Sequence, residues 1–182
     1  MERVQIVFSG SGGQGVITAS IILAEAAVLH EDLNAIQSQS YGPEARGGAT
    51  RADVIISNSE ISFPRVLQPD VLVCLTQTAF TLYHSILRPG GVLFTDVHHV
   101  KTQQRLDARC YELPMYDQVL EQIGNPVVFN ICMLGSLIGL VDVVKPESVE
   151  KVLTQRVPHD FVPMNQHALQ IGLELGRNCR RV

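Results

Sequence analysis

A strand-like apolar run, Val4 to Phe8, passes through Ser9-Gly10-Ser11-Gly12-Gly13-Gln14-Gly15 into an apolar run of helical length, Val16 to Leu29. A strand that turns through glycines into a helix is the first part of a βα unit, which buries a sheet face under helices. The bare turn also has a chemical consequence. Amides at a helix start lack intrahelical partners, the helix dipole favours negative charge there, and glycine lets a ligand approach the backbone. The segment therefore predicts a bound anion, a phosphate above all. A second glycine-rich segment, Tyr41-Gly42-Pro43-Glu44-Ala45-Arg46-Gly47-Gly48, adds the guanidinium of Arg46 among flexible residues, where a charged ligand can be clamped.

Apolar runs recur at 4–8, 34–38, 50–57, 70–75 and 92–95, with helical-length segments after several of them. The alternation predicts an α/β fold, a Rossmann-like, mostly parallel sheet flanked by helices. Asp70-Val71-Leu72-Val73-Cys74-Leu75 has no polar alternation after its first residue, as a strand buried on both faces requires. Thr78 to Leu87 reads as a helix stopped by Arg88-Pro89-Gly90-Gly91 before a strand at Val92 to Thr95, which makes a second βαβ unit. Asn58-Ser59, between Ile56 and Ile61, predicts a hairpin turn and one antiparallel excursion beside the parallel strands. The C-terminal third is helical in period over Val127 to Leu140, Pro146 to Val157 and Phe161 to Arg177, with Pro146 suited to a first helical position. With 182 residues and no repeat or linker, the chain reads as one domain, 1–182.

Hydrophobic residues make up 46% of the chain and charged residues 18%, so some apolar surface is expected to be covered by another chain. Within 16–29 the only ionisable residue is Glu25, while Ile17, Ile21, Ile22, Leu23 and Val28 cover more than one helix face. The second face predicts either a subunit interface or two-sided burial inside the monomer. Val127 to Val141 is uncharged but contains Asn130 and Ser136 and is shorter than the roughly twenty residues of a membrane span. It reads as a buried helix, with no membrane association. A net charge of -4 provides no basic face for nucleic acid. The cysteines at 74, 110, 132 and 179 form no CxxC and no zinc-like spacing with histidine. This argues against cluster or zinc ligation by this chain and suits unpaired thiols in a reducing compartment. With a strand-like start and no secretory pattern, the expected location is cytoplasmic.

Gly10-Ser11-Gly12-Gly13-Gln14-Gly15 also satisfies the dinucleotide pattern GxGxxG, which keeps a stand-alone NAD-binding regulator open. That pattern expects a carboxylate at the end of the second strand. Here the strand near Asn34 to Ser38 ends in Gln39-Ser40-Tyr41, and Glu31 and Asp32 precede it, so the ribose anchor is missing. A glycine turn serving only tight strand-to-helix packing is a further reading. Arg51 and Asp53 share one face of an extended strand and predict an ion pair. Arg46, with only Glu44 close by, is weighted towards ligand binding. His98-His99 has Asp96 as its one neighbouring carboxylate and reads as a solvated turn rather than a metal site. Cys74 and Cys132 lie in apolar runs, where a thiol is inert. GxSxG, HExxH and a phosphate-loop lysine are all missing, so no catalytic or metal-binding residue is assigned. Binding capacity without bond-making groups implies a partner.

The combination resembles a known family. Gly10 to Gly15, Gln39-Ser40-Tyr41-Gly42-Pro43-Glu44-Ala45-Arg46-Gly47-Gly48, Phe63-Pro64, Pro69-Asp70-Val71-Leu72-Val73 and Leu87-Arg88-Pro89-Gly90-Gly91 are similar to the gamma subunit of 2-oxoacid:ferredoxin oxidoreductases. Asn130 before Leu134-Gly135, and Asn165 with Ala168-Leu169, extend the resemblance over nearly the whole chain. It implies a multi-subunit enzyme that converts a 2-oxoacid to an acyl-CoA and passes two electrons to ferredoxin, with this subunit inactive alone. Thiamine diphosphate and Mg2+ are implied between alpha and beta subunits, and iron–sulfur clusters in beta or a ferredoxin-like delta subunit. By the same resemblance, Gly10, Gly12, Gly13, Gln14, Gly15, Arg46, Gly47, Gly48 and Asn130 face coenzyme A. The form of 41–48 is closest to the 2-oxoglutarate type, with pyruvate, branched-chain and indolepyruvate types as alternatives.

Overall fold

The computed structural model describes residues 3–40, 49–102 and 106–180. β1 (Val4–Ser11) feeds α1 (Val16–His30), then β2 (Asn34–Ser40) and β3 (Ala49–Ser57). β4 (Val71–Cys74), α2 (Gln77–Tyr83), β5 (Gly91–Asp96) and β6 (Ala108–Leu113) follow, and then the helices α3 (Met115–Gln122), α4 (Phe129–Val141), α5 (Pro146–Arg156) and α6 (Val162–Arg180). The strands form one sheet in the order β2-β3-β1-β4-β5-β6. β1, β4, β5 and β6 pair in parallel, whereas β3 is antiparallel to both β1 and β2. Five strands therefore point one way and β3 alone is reversed. The α/β, mostly parallel sheet with a helical C-terminal third is present.

The reversal lies elsewhere than the turn at Asn58-Ser59 suggested. Ser57 Oγ accepts a hydrogen bond from the Ser59 amide at 3.1 Å, closing a turn, but Ile61 lies in no strand. β3 already pairs with β1 and β2 on its two edges, so a hairpin partner has no edge to join. Ile61 packs instead into the core on one sheet face. β6 and α3 left no apolar run in the sequence. β6 is an edge strand with exposed Arg109, Cys110 and Glu112, and α3 buries only Met115 and Val119. The helix expected from Thr78 to Leu87 starts at Gln77, where Thr76 Oγ1 caps the Ala79 amide at 3.1 Å, and tightens into a 3-10 turn at His84–Ile86.

Alternation along the central strands divides the core. Ile6, Phe8, Val71, Val73, Val92 and Phe94 face the larger helical layer, and Val7, Leu72, Cys74 and Leu93 face the layer of α2. Between the sheet and α4 and α5, α1 buries Val16, Ala19, Ile22, Leu23, Ala26 and Ala27. The second apolar face of this helix is thus largely covered within the monomer, while Val28 and Leu29 remain 48% and 59% exposed.

Two carboxylates fasten α1 to α5. Glu25 pairs with Arg156, and Glu31 accepts hydrogen bonds from the Lys145 amide at 3.0 Å and Ser148 Oγ at 2.5 Å. Burial pushes the Glu31 carboxyl up, but these hydrogen bonds and the Lys145 charge outweigh it and hold the group below its usual 4.5. A depressed folded value stabilises above the unfolded value and is lost as pH falls through the folded one. Glu31→Gln is therefore expected to cost about 1 kcal/mol at neutral pH, with the difference from the parent shrinking below pH 4.5. Urea midpoints measured on both sides of that pH check this, and a pH-independent difference would refute it.

Candidate functional site

The chain leaves β1 towards the β2-β3 side of the sheet and leaves β4 towards β5 and β6. The carboxyl ends of β1 and β4 therefore border the crevice where open α/β sheets bind ligands. Gln14 spans it: its Oε1 accepts from the Ser11 amide at 2.8 Å and its Nε2 donates to the Leu75 carbonyl at 3.2 Å. Gly10 makes room for this strut, because a Cβ there would lie 2.6 Å from Gln14 Oε1.

Gly13 and Gly15 have φ of +90° and +70°, values that only glycine adopts at little cost. Gly15 is the N-cap of α1, no side chain caps that helix, and its first turn carries no acidic residue. Asn130, near the start of α4, donates from Nδ2 to the Gly15 carbonyl at 3.3 Å. A Cβ at Gly15 would meet that same side chain at 2.5 Å. Among the described residues, no atom other than those of the chain neighbours lies within 4 Å of a Cβ built at Gly12 or Gly13. The tip of the turn is thus backbone open to solvent, held rigid from beneath by Gln14 and Asn130.

Two clefts flank the tip. One, of about 390 Å³, is lined by Gly13, Gln14, His99, Tyr116, Val127 and Phe129 among others. The other, of about 370 Å³, is lined by Gly12, Gly13, Val16, Ile17, Thr18 and Thr50. Behind the first stands Asp96, at the end of β5 and fully buried. Its Oδ1 accepts from the His98 amide at 3.0 Å and lies 2.9 Å from His99 Nδ1, and its Oδ2 accepts from the Tyr116 amide at 2.8 Å. Facing a carboxyl oxygen, His99 Nδ1 is the donor, and this bond fixes the orientation of a ring that lines the cleft.

Gly10, Gly12, Gly13, Gln14, Gly15 and Asn130 thus lie together at this turn. Arg46, Gly47 and Gly48 lie outside the described residues. Arg51 and Asp53 form the expected ion pair, with Arg51 Nε to Asp53 Oδ1 at 2.6 Å and Nη2 to Oδ2 at 2.8 Å. Arg51 also donates to the Val66 carbonyl at 3.0 Å, which keeps it away from the glycine turn. The solvated-turn reading of His98-His99 needs correction. His98 is exposed, but His99 is held by the buried Asp96 and lines the cleft. Tyr116 and Phe129 were not singled out in the sequence. The available signal was Asp96 closing a buried strand three residues before His99, since a carboxyl buried at a strand end needs donors close by.

Burial pushes the Cys74 and Cys132 thiols up to about 12, so both stay protonated and unreactive. No group of three or more His, Cys, Asp or Glu among the described residues is placed to hold a metal ion. None of the described helices is long and apolar enough to cross a membrane. A basic cleft of about 630 Å³, bordered by Arg3, Arg65 and Arg88, lies at the amino ends of the strands, away from the glycine turn.

Residues 5–175 match the pyruvate ferredoxin/flavodoxin oxidoreductase family. The chain belongs to this family. Among its relatives, the 2-oxoglutarate synthase subunit KorC of Methanocaldococcus jannaschii is 42% identical over 177 residues, 96% of this chain and 95% of that protein. The gamma subunit of a keto/oxoacid ferredoxin oxidoreductase from Geobacter sulfurreducens has the same fold, with a TM-score of 0.87 at 40% identity, covering 96% of this chain and 99% of that one. The 2-oxoglutarate:ferredoxin oxidoreductase of Magnetococcus marinus, solved with 2-oxoglutarate, coenzyme A and succinyl-CoA bound, aligns with 98% of this chain and 32% of its own, with a TM-score of 0.87. At 19% identity that likeness is one of fold.

Proposed function

We propose that this chain is the gamma subunit of a cytoplasmic, multi-subunit 2-oxoglutarate:ferredoxin oxidoreductase and that its glycine turn holds the phosphates of coenzyme A. The observation that carries the ligand assignment is the uncapped start of α1, with bare backbone at Gly12 and Gly13, at the crevice between β1 and β4. Free amides, a helix dipole and open approach suit a pyrophosphate. Gln14 and Asn130 act as struts that keep the turn in that shape. Thr50, which lines the neighbouring cleft, follows Arg46-Gly47-Gly48 closely in sequence. On this reading Arg46 supplies the cationic partner for a phosphate.

The overall conversion is 2-oxoglutarate and coenzyme A to succinyl-CoA and carbon dioxide, with two electrons to ferredoxin, or its reverse. Thiamine diphosphate and Mg2+ between alpha and beta subunits supply the decarboxylation chemistry, and iron–sulfur clusters in beta or delta subunits carry the electrons. This chain's part is to bind coenzyme A and present it, and it is inactive alone. The high identity to 2-oxoglutarate synthase subunits favours that substrate over pyruvate, branched-chain or indolepyruvate types. A stand-alone NAD-binding role is disfavoured because β2, Asn34–Ser40, carries no carboxylate for a ribose.

The complex is to be purified anaerobically through this chain and assayed for coenzyme A-dependent viologen reduction with a panel of 2-oxoacids. Activity with 2-oxoglutarate in a brown multi-subunit eluate is expected. Activity with pyruvate or an aryl oxoacid would overturn the substrate, and a colourless single chain binding NADH would overturn the subunit assignment.

A further inference from the structure

We infer that the basic cleft at the amino ends of the strands, walled by Arg3, Phe63, Arg65, Leu67 and Arg88, docks an acidic segment of another subunit of the assembly. This inference rests on the multi-subunit reading above and adds a contact face at the end of the sheet away from the glycine turn.

The connection from β3 to β4, residues 58–70, contains no strand or helix and supplies much of the cleft wall. Ordered connections of that length usually serve binding. This one is pinned along its course. Arg3 Nη2 donates to the Phe63 carbonyl at 2.7 Å, Arg51 Nη2 to the Val66 carbonyl at 3.0 Å and the Arg88 amide to the Pro69 carbonyl at 3.2 Å. Val66 is buried in the core beneath. On either side of it the same loop presents Phe63 and Leu67 to solvent, 49% and 68% exposed. A loop already fixed in this way loses little further conformational entropy when a partner lands on it. An aromatic and a leucine among arginines are the composition of a protein contact centre.

Charge selects the partner. Among the described residues, the lining carries three guanidiniums and one carboxylate, that of Asp70, which already pairs with Arg88 at 2.6 Å. The whole chain has a net charge of -4, so this local positive excess runs against its average. Guanidiniums recognise carboxylates through paired N–H donors, and an apolar residue flanked by Asp or Glu is the complement of this surface. A second copy of this chain would set arginine against arginine across a two-fold contact. A small anion would leave Phe63 and Leu67 uncovered, and nucleic acid calls for a broader basic face than this acidic chain provides. The eight residues of β1 separate the cleft from the glycine turn, a span of about 25 Å. A subunit docked here therefore leaves the turn open to its ligand.

The test is made on the assembled complex, purified anaerobically through this chain carrying Leu67→p-benzoylphenylalanine, a photoreactive side chain. Irradiation is expected to crosslink it to a different subunit, at a segment that peptide mapping shows to contain Asp or Glu beside the crosslinked position. Arg65→Glu, a change at an exposed position that should leave the thermal midpoint in place, is expected to lower the crosslink yield by about tenfold, and added salt to act in the same direction. A crosslink to a second copy of this chain, or to a segment without carboxylates, overturns the inference, as does a yield indifferent to Arg65→Glu. An intact complex that gives no crosslink overturns it too, while the multi-subunit reading stands. Recovery of this chain alone, from cells that express the other subunits, overturns both.

Discussion

Gly172→Val is expected to leave no stably folded chain. α4 and α6 approach through four glycines, Gly135 and Gly139 on one helix and Gly172 and Gly176 on the other, so that backbone lies against backbone. A Cβ at Gly172 would fall on the Cys132 carbonyl oxygen and one at Gly176 on that of Ser136, both far inside contact distance. These neighbours are helix backbone, which cannot step aside as the end of a flexible side chain can. Relief requires the helices to separate, which opens the core around Cys132, Leu169 and Leu173, all buried to within 1%. A loss of about 4 kcal/mol or more is a large share of the 5–15 kcal/mol that holds a domain of this kind together. Soluble yield and circular dichroism of the purified variant read the outcome. A soluble chain with an unfolding midpoint close to the parent would show that the helices have slack that the structure does not reveal.

Gly12→Glu is expected to raise the KM for coenzyme A by about a hundredfold while leaving the thermal midpoint of the subunit nearly unchanged. The position is suited to this separation. Among the described residues a Cβ there meets nothing within 4 Å, and Gly12 is exposed, so the side chain adds no clash with them. It does place a carboxylate at the tip where the pyrophosphate is to sit, and like charges a few ångströms apart in a partly desolvated cleft oppose one another by about 2–3 kcal/mol. Steady-state kinetics with coenzyme A as the varied substrate, alongside a thermal melt, decide it. An unchanged KM with an intact fold would remove the phosphates from this turn.

What could be read in the sequence was what neighbouring residues decide together. The turn from β1 into α1, the uninterrupted apolar β4 and the Pro146 start of α5 depend on contiguous patterns of size, polarity and backbone freedom. The Arg51–Asp53 pair follows from side-chain alternation along one strand. The α/β class and the glycine turn with its bare backbone were therefore determined by the sequence alone. The order of the strands was not, because pairing depends on which edges remain free once other strands have docked. β3 took both of its neighbours and left nothing for a hairpin after Asn58-Ser59. Edge strand β6 and short α3 escaped because partial burial leaves only a weak apolar pattern. The site's walls were beyond local reach for the same reason. Asn130 meets the Gly15 carbonyl across 115 residues, and His99, Tyr116 and Phe129 arrive from three separate segments. Local chemistry left the turn as bare backbone at a helix start. Only tertiary packing could decide what surrounds it, because side chains distant in sequence become a wall only when burial of the sheet brings their backbones together.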